Sequence, residues 1–278
     1  MDVYSGPAFV WAEAVGASLT ALRCPFVVTL HSGAFPDFAE RWPARVRRLL
    51  RSATVVTSPS PFLREHFRQI RPDIRVIRNG LHLERYPARR ITKAKPRLVL
   101  VRAFEQRYNP LLALEVVSIL SGEFPDIELL MVGPDTSDWS ADETLAHALK
   151  LGVADRVHVM GQVSKMEIPQ VLQQGDIFLN TTNVDNAPVT VIEAMACGLC
   201  VVSTNAGGVP YLTETEQDAL LVPRADPDAM ATAVRRVLVE PGLSGRLSEN
   251  ARRKAESYDW DRVLPAWEDL LVEVVMRR

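Results

Sequence analysis

The stretch DIFLNTTNVDNAPVTVIEAMACGLCVVS, Asp176–Ser203, has the pattern of a strand, a loop, a short helix and a second strand. Asp176–Asn180 has the length of a buried strand, and Leu199–Ser203 repeats it. Between them, Pro188 suits the first position of a helix, and Gly198 suits the position just past its end. This order of elements is typical of the βαβ unit of a parallel sheet.

The same alternation runs along the rest of the 278 residues. The predicted strands are Pro25–Leu30, Thr54–Thr57, Ile74–Ile77, Arg97–Val101, Ile127–Gly133, Arg156–Gly161, Asp176–Asn180, Leu199–Ser203 and Ala219–Val222. The predicted helices are Asn109–Ser121, Asp142–Leu151, Met166–Gln174, Pro188–Cys197 and Pro227–Val239. We therefore expect an α/β protein with two parallel-sheet domains, the second of them a complete doubly wound domain.

The polar connector Tyr86–Pro96 is flanked by prolines and rich in basic residues, and it predicts an interdomain linker. We expect a first domain over residues 1–92, a second over 93–256, and a helix over 257–278 that packs back toward the first. The first domain has three predicted strands and no opening strand with a glycine-rich turn. We therefore expect it to be incomplete, with a genuinely small domain as the alternative.

Composition is typical of a globular protein, with 47% hydrophobic and 24% charged residues. No apolar run reaches the ~18 residues of a membrane span, and no cleavable signal is apparent at the start, so we expect a cytoplasmic protein. Residues 1–92 carry a formal charge of +7 and the remainder −9. This asymmetry supports two domains and indicates that the first one meets an anionic partner.

The chain has three cysteines, two of them in the pair Cys197 and Cys200. No second Cys or His pair stands at a spacing suited to a structural zinc site, so we expect buried apolar thiols and no metal.

Polar residues and glycines follow several predicted strands, at the end of the sheet where ligands of such folds bind. His31 can hydrogen-bond a hydroxyl or a phosphate, with a structural loop histidine as the alternative. Arg102 and Arg107 lie just before a helix and suit a diphosphate. Gly133 lets a ligand approach the backbone.

Two further loops offer main chain to a ligand. Met160, Gly161 and Gln162 present backbone groups that suit the edge of a planar base. The loop with Gly207 and Gly208 precedes a helix and suits a phosphate or a sugar.

Glu193 is the only charge in an otherwise apolar helix, and we expect it to be buried. A buried carboxylate is costly unless something donates a hydrogen bond to it. Sugar hydroxyls, backbone N–H groups and an internal arginine are the alternative donors. Asp185 and Asn186 lie in the loop before the helix, whose free N–H groups favour anionic or hydroxyl-rich ligands.

The stretch DNAPVTVIEAMACGLCVVSTNAGGVPYL, Asp185–Leu212, resembles the donor-binding core of the retaining glycosyltransferases of family 4. Weaker similarity covers nearly the whole chain, including SPSPFLREHF (Ser58–Phe67) and YDWDRVLPAWEDLL (Tyr258–Leu271). The resemblance implies a GT-B fold of two Rossmann-like domains, the first lacking its N-terminal part. It implies transfer of a sugar from a UDP- or GDP-sugar to a glycan or lipid-linked acceptor, with retention. Neither a metal nor a nucleic-acid partner is expected.

The resemblance also implies roles for individual residues. Asp185, where the family usually has Glu, would hold hydroxyls of the donor sugar, and Glu193 would hold the ribose. Arg102 and Arg107, the latter in place of the usual Lys, would neutralise the diphosphate, and His31 would lie near the transferred sugar. The implied donor-binding residues are Arg107, Gly133, Met160, Gly161, Gln162, Asn186, Glu193, Gly207 and Gly208.

Two alternatives stay open. The chain is either a glycosyltransferase or a non-catalytic nucleotide-sugar-binding remnant of one; an epimerase of the same fold fits the motifs less well. The basic stretch Arg41–Arg51, with Trp42, Val46, Leu49 and Leu50 among its arginines, predicts either peripheral contact with an anionic membrane or a solvated helix.

Overall fold

The computed structural model of the protein describes residues 1–137 and 139–276. Contacts divide the chain into two compact units. The first contains Met1–Gly80, Val184–Ala187 and the residues from Tyr258 onwards. The second contains Leu81–Asn183 and Pro188–Ser257.

The N-terminal segment of the first unit ends at Gly80. The sequence predicts this boundary later, after residue 92. The reason is that the predicted linker packs on the second unit. The guanidinium of Arg89 donates to the carboxylate of Asp176 at 3.3 Å, and the backbone N–H of Ile91 donates to Ser248 Oγ at 3.1 Å. A basic, proline-rich composition predicts a solvated connector only where the charges find no partners in the fold.

The first unit contains a parallel sheet in the order β1-β2-β3-β4. Its strands are β1 (Asp2–Val3), β2 (Val27–Leu30), β3 (Val55–Ser58) and β4 (Arg75–Val76). The sequence predicts only the last three. Strand β1 pairs Asp2 with Thr29 and Val3 with Leu30, and its two residues are too short to produce a periodic pattern.

The helices of the first unit are α1 (Phe9–Ala21), α2 (Phe35–Arg41), α3 (Pro43–Ser52), α4 (Pro61–Phe67) and, at the other end of the chain, α12 (Trp260–Met276). Helices α1 to α4 share a core with the strands that includes Phe9, Phe35 and Phe67. Helix α12 packs Val263 and Leu270 against a separate apolar cluster with Val55 and Ile77.

Helix α3 shows what the basic stretch Arg41–Arg51 does in the fold. Val46, Leu49 and Leu50 are buried in the core of the first unit. Trp42, just before α3, stays exposed at 46%. The surface that α3 leaves to solvent is therefore arginine-rich, and its apolar face is satisfied by the protein itself.

The second unit contains a six-stranded sheet whose strands are all parallel. Its strands are β5 (Arg97–Val101), β6 (Glu128–Val132), β7 (Val157–Met160), β8 (Ile177–Asn180), β9 (Cys200–Thr204) and β10 (Ala219–Val222). Their order is β10-β9-β8-β5-β6-β7, so the chain starts in the middle and winds outward in both directions. The order reverses between β5 and β8, where ligands of such sheets bind.

The helices of the second unit are α5 (Pro110–Leu120), α6 (Ala141–Lys150), α7 (Ile168–Leu172), α8 (Val189–Ala196), α9 (Val209–Leu212), α10 (Pro227–Val239) and α11 (Leu243–Ala255). Their apolar faces join the strands in one core, which includes Leu98, Leu112, Ile177 and Val234. Within the described residues, every helix is too short or too polar to cross a membrane.

Candidate functional site

A cavity of about 490 Å³ opens in the second unit. Its lining comes from the ends of β5 and β6, from the loop after β7 and from the start of α8. The lining residues are Val101, Arg102, Ala103, Tyr108, Val132, Gly133, Pro134, Gln162, Val163, Lys165, Ile168, Val189, Thr190 and Glu193. Four predicted site residues therefore meet at one cavity: Arg102, Gly133, Gln162 and Glu193.

Glu193 contributes a buried carboxylate to this cavity, with 4% of the residue exposed. The hydroxyl of Tyr86 donates to Glu193 Oε1 at 2.6 Å. Burial raises the pKa of Glu193, and the hydrogen bond from Tyr86 and the charges of Lys165 and Arg102 oppose that rise. Burial and the neighbouring Glu193 likewise raise the pKa of Tyr86, so the hydroxyl keeps its proton and acts as the donor.

The guanidinium groups of Arg102 and Arg107 stack on the same ring. The Cζ atoms of Arg102 and Arg107 lie 4.7 and 5.4 Å from the centroid of Tyr108. Arg102 is half-buried and lines the cavity. Arg107 is exposed, is not among the lining residues and pairs with Glu105, Nη2 to Oε1, at 2.5 Å. The cavity's second cation is Lys165.

Hydrogen bonds connect the segment that carries these arginines to the chain after β8. Thr181 Oγ1 donates to the carbonyl of Tyr108 at 2.7 Å, and the N–H of Asn183 donates to the carbonyl of Arg107 at 2.8 Å. Asn109 follows with a left-handed backbone, φ 49°, and Pro110 starts α5. The loops after β5 and β8 are thus joined at the point where the strand order reverses.

Gly133 is required by the close approach of two strand ends. A Cβ atom there would lie 1.8 Å from the carbonyl oxygen of Arg102. Even alanine therefore cannot be accommodated without moving the backbone that carries Arg102.

Helix α8 begins and ends close to the predicted positions. Pro188 is its N-cap residue rather than its first helical residue, with φ −64° and ψ 109°. Gly198 follows the C-cap with φ 76°, a backbone that favours glycine, and a Cβ there would lie 2.2 Å from the carbonyl oxygen of Arg89. The helix is buried from Val191 to Ala196, and Glu193 lies in that buried stretch.

His31 and Asp185 belong to the first unit and are not part of the cavity in the second. His31 follows β2, its Nε2 lies 3.1 Å from Asp2 Oδ1, and its ring stacks on Tyr4. Asp185 Oδ1 accepts from the N–H of Asn186 at 2.8 Å.

Asn186 anchors this loop in the first unit. It is fully buried; its Nδ2 donates to the carbonyl of Leu30 at 3.2 Å, and Ser60 Oγ lies 2.5 Å from its Oδ1. The amide of Asn186, a predicted donor-binding residue, is therefore occupied by protein partners.

The remaining predicted residues lie at strand ends of the second unit but outside the cavity lining. Met160 is the last residue of β7 and Gly161 follows it; both are exposed. Gly207, with φ 51°, and the buried Gly208 lie between β9 and α9.

Three residues near the cavity escape sequence reasoning: Tyr86, Tyr108 and Lys165. Tyr108 follows Arg107 directly, and an aromatic residue beside arginines is a usable signal for stacking. Lys165 lies in the loop after β7, so its signal is the same as that of Arg102: a basic residue just after a predicted strand. Tyr86 has no local signal, because 107 positions separate it from Glu193.

The thiols of Cys197 and Cys200 are free and buried, and burial raises the pKa of each to about 12. Within residues 1–137 and 139–276, no three His, Cys, Asp or Glu side chains are grouped so that they could hold a metal ion.

Comparison with solved structures shows the fold. HepE from Anabaena, crystallised in complex with UDP, superimposes with a TM-score of 0.84 over 94% of this chain and 76% of its own, at 19% identity. Sucrose-phosphate synthase from Thermosynechococcus elongatus gives 0.81 over 96% and 73%, at 21% identity. The predicted GT-B fold of two parallel-sheet domains is confirmed, and the first domain is short, with four strands.

Comparison with curated proteins identifies relatives in sequence. The D-inositol 3-phosphate glycosyltransferase of Streptomyces avermitilis is 29% identical over 221 residues, 74% of this chain and 48% of that protein. A phosphatidylinositol N-acetylglucosaminyltransferase component from Arabidopsis thaliana is 27% identical over 190 residues, 65% of this chain and 41% of that protein. The chain spans about half the length of the curated relatives it matches.

Two family models match adjacent parts of the chain. The model described as Glycosyltransferase Family 4 matches residues 3–85, and the model described as Glycosyl transferases group 1 matches residues 85–254. The second match begins close to the predicted linker and to the start of the second unit at Leu81, and it covers more than half of the chain. The chain therefore belongs to the group 1 glycosyl transferases.

Proposed function

We propose that the cavity of the second unit binds the nucleotide diphosphate of a sugar donor and that the protein transfers the sugar with retention of configuration. The observation that carries this proposal is a buried carboxylate and two cations lining one cavity where the strand order reverses. Glu193 offers an acceptor to hydroxyl groups, while Arg102 and Lys165 offer positive charge to phosphates.

Glu193 is proposed to accept hydrogen bonds from the donor ribose. Within residues 1–137 and 139–276, Glu193 accepts one hydrogen bond, from Tyr86. This leaves spare acceptor capacity, since each ionised carboxyl has about four lone-pair sites. Retaining such a group in a buried position costs folding free energy, and a ligand hydroxyl supplies the missing partner.

Arg102 and Lys165 are proposed to neutralise the diphosphate as the bond to the sugar breaks, which would make a metal ion unnecessary. Arg107, which stacks on Tyr108 as Arg102 does, is proposed to add positive charge. Gln162 and the neighbouring main chain of Met160 and Gly161 are proposed to contact the base.

From the family resemblance, Asp185 is proposed to hold hydroxyls of the donor sugar. His31 is proposed to lie near the transferred sugar. The retaining mechanism proposed from that resemblance is substitution on one face of the sugar, assisted by the leaving phosphate. We assign no protein nucleophile.

We propose a UDP-sugar as the preferred donor and a GDP-sugar as the alternative. HepE, which shares the fold, binds UDP and UDP-glucose. The acceptor is proposed to be a glycan or a lipid-linked acceptor that carries phosphate. The names of the relatives point to inositol phosphates, and the charge of +7 on residues 1–92 suits an anionic acceptor.

Membrane contact through Arg41–Arg51 is proposed to be electrostatic, because the apolar face of α3 is buried. We expect binding to vesicles that contain anionic lipid at low salt, with loss at about 0.5 M salt. Equal binding to neutral vesicles, or no binding at low salt, contradicts this part of the proposal.

A non-catalytic nucleotide-sugar-binding protein is the second candidate, because the cavity lies wholly in the second unit. Calorimetric titration with UDP, GDP and their sugars, together with an assay of donor hydrolysis, separates the two. Binding with turnover supports the transferase, and binding without turnover supports the second candidate. Failure of every nucleotide to bind contradicts both.

A further inference from the structure

The hydroxyl of Tyr86 donates a hydrogen bond to the carboxylate of Glu193. We infer that Tyr86 is a positioning residue: it holds Oε1 so that Oε2 faces the cavity and accepts from a ribose hydroxyl of the donor. This inference rests on the proposed function, and it adds a residue that neither the motif nor the cavity lining contains.

The two oxygens of the carboxylate have different surroundings. Tyr86 Oη lies 2.6 Å from Oε1, a short distance that is typical of a hydroxyl donating to a carboxylate. Within the described part of the chain, the hydrogen bond to Glu193 is made at Oε1 and not at Oε2, although Glu193 lines the cavity. A ligand hydroxyl that reaches Oε2 would therefore meet an oxygen whose direction is set by the hydrogen bond at Oε1.

Tyr86 is itself held in place. It is 3% exposed, and its carbonyl oxygen accepts from Arg252 Nη1 at 2.9 Å. The same nitrogen donates to the carbonyl of Ala196 in α8 at 2.6 Å. Arg252 thus fixes the backbone of Tyr86 to the helix that carries Glu193, so that donor and acceptor move together.

Removing the hydroxyl would leave the shape of the core almost unchanged and would free the carboxylate to rotate. A glutamate has three rotatable side-chain bonds, and a single well-placed donor limits them. We expect Tyr86→Phe to weaken nucleotide binding about tenfold, since hydrogen bonds to charged groups are among the stronger ones.

The test compares UDP with its 2′-deoxy and 3′-deoxy analogues on wild type and on Tyr86→Phe. If GDP binds more tightly than UDP, GDP and its own deoxy analogues are used. In wild type, the analogue that loses most affinity lacks the hydroxyl that Glu193 accepts. We expect Tyr86→Phe to lose about tenfold for the parent nucleotide and less than about twofold for that analogue.

A merely structural role gives a different result. A smaller folded fraction lowers the apparent affinity of both ligands equally and leaves their ratio unchanged. Equal losses for the two ligands, or no loss for either, overturn the inference.

Ser248→Ala is the matched control. It removes a buried hydroxyl that accepts from the N–H of Ile91 and donates to the carbonyl of Gly198, but it does not touch Glu193. We expect it to lower the melting temperature and to keep the ratio of the two affinities at its wild-type value. A changed ratio in Ser248→Ala would mean that loosening this segment is sufficient, and it would overturn the assignment to Tyr86.

Failure of the proposed function is distinguishable from failure of this inference. If wild type binds no nucleotide, or if both deoxy analogues bind as tightly as the parent, the ribose assignment of Glu193 itself fails. If Glu193→Gln weakens binding and Tyr86→Phe does not, the assignment of Glu193 stands and that of Tyr86 falls.

Discussion

Asp185 and Glu193 are two carboxylates eight residues apart, yet they belong to different compact units. Glu193 is buried in α8, holds a hydroxyl donor and lines a cavity. Asp185 is half-buried in a loop that Asn186 anchors to β2 and to Ser60. Two residues that a motif places close together in the sequence can therefore belong to different compact units and have different environments.

Of the two carboxylates, Glu193 should matter more for nucleotide affinity. We expect Glu193→Ala to weaken UDP or GDP binding about 10- to 100-fold, because it removes the proposed acceptor of the ribose hydroxyls. Isothermal titration measures this loss. Glu128→Ala, an exposed glutamate on β6 in the same unit, is the control and should bind like wild type. Wild-type affinity in Glu193→Ala would refute the ribose assignment.

Asp185 should affect turnover more than nucleotide affinity. We expect Asp185→Ala to lower the turnover of the donor sugar at least about tenfold, while the affinity for UDP or GDP changes less than about threefold. The reason is that Asp185 is proposed to hold the sugar and to leave the nucleotide alone. Donor hydrolysis and nucleotide titration on one preparation check both values. If Asp185→Ala lost as much nucleotide affinity as Glu193→Ala, the proposed division of roles between the two carboxylates would be wrong.

The support of the Asp185 loop is tested at Gly33. A Cβ at Gly33 would lie 2.5 Å from the carbonyl carbon of Asp185 and 2.9 Å from the nitrogen of Asn186. We expect Gly33→Ala to lower the free energy of unfolding by about 1–3 kcal/mol, because the backbone on one side has to move. Urea unfolding measures the loss.

Gly122→Ala is the control for that measurement, since a Cβ there would meet nothing within 4 Å. It should unfold like wild type. If Gly33→Ala were as stable as Gly122→Ala, the loop that carries Asp185 would tolerate displacement. Asp185 would then not be held in a fixed position as Glu193 is.

The smallest of these effects is the change in stability with pH that comes from the titration of Glu193. Because burial raises the pKa of Glu193, the folded protein binds its proton more tightly than the unfolded chain. The stabilising contribution is complete below the unfolded value of 4.5 and is lost as the pH rises through the folded value. Glu193→Gln removes this titration while Tyr86, Lys165 and Arg102 stay in place around the site.

Thermal unfolding of wild type and Glu193→Gln between pH 5 and pH 8 measures this effect. We expect the melting temperature of Glu193→Gln relative to wild type to increase with pH. Ser248→Ala, which removes no titratable group, should give no such trend. A pH-independent difference between wild type and Glu193→Gln would mean that Glu193 titrates as it does in the unfolded chain.

Much of the second unit is predictable because its signals are local. Strands β5 and β10 begin and end at the predicted residues. The helix predicted from Pro188 and Gly198, Pro188–Cys197, differs from α8 by one residue at each end. Strand β1 and the start of the second unit are less predictable, because a two-residue strand has no period and a basic connector does not show that its charges are paired.

Four features follow from the sequence alone: the order of strands β2 to β10, the parallel sheets, the burial of Glu193 and the loops that carry polar groups at strand ends. These properties follow from short apolar runs and from the placement of glycine and proline, which act within a few residues. Three features come from packing between distant parts of the chain: Tyr86 holds Glu193, Lys165 lines the cavity while Arg107 does not, and Asp185 belongs to the first unit. The physical reason is distance along the chain, since contacts between residues about a hundred positions apart depend on how whole elements pack.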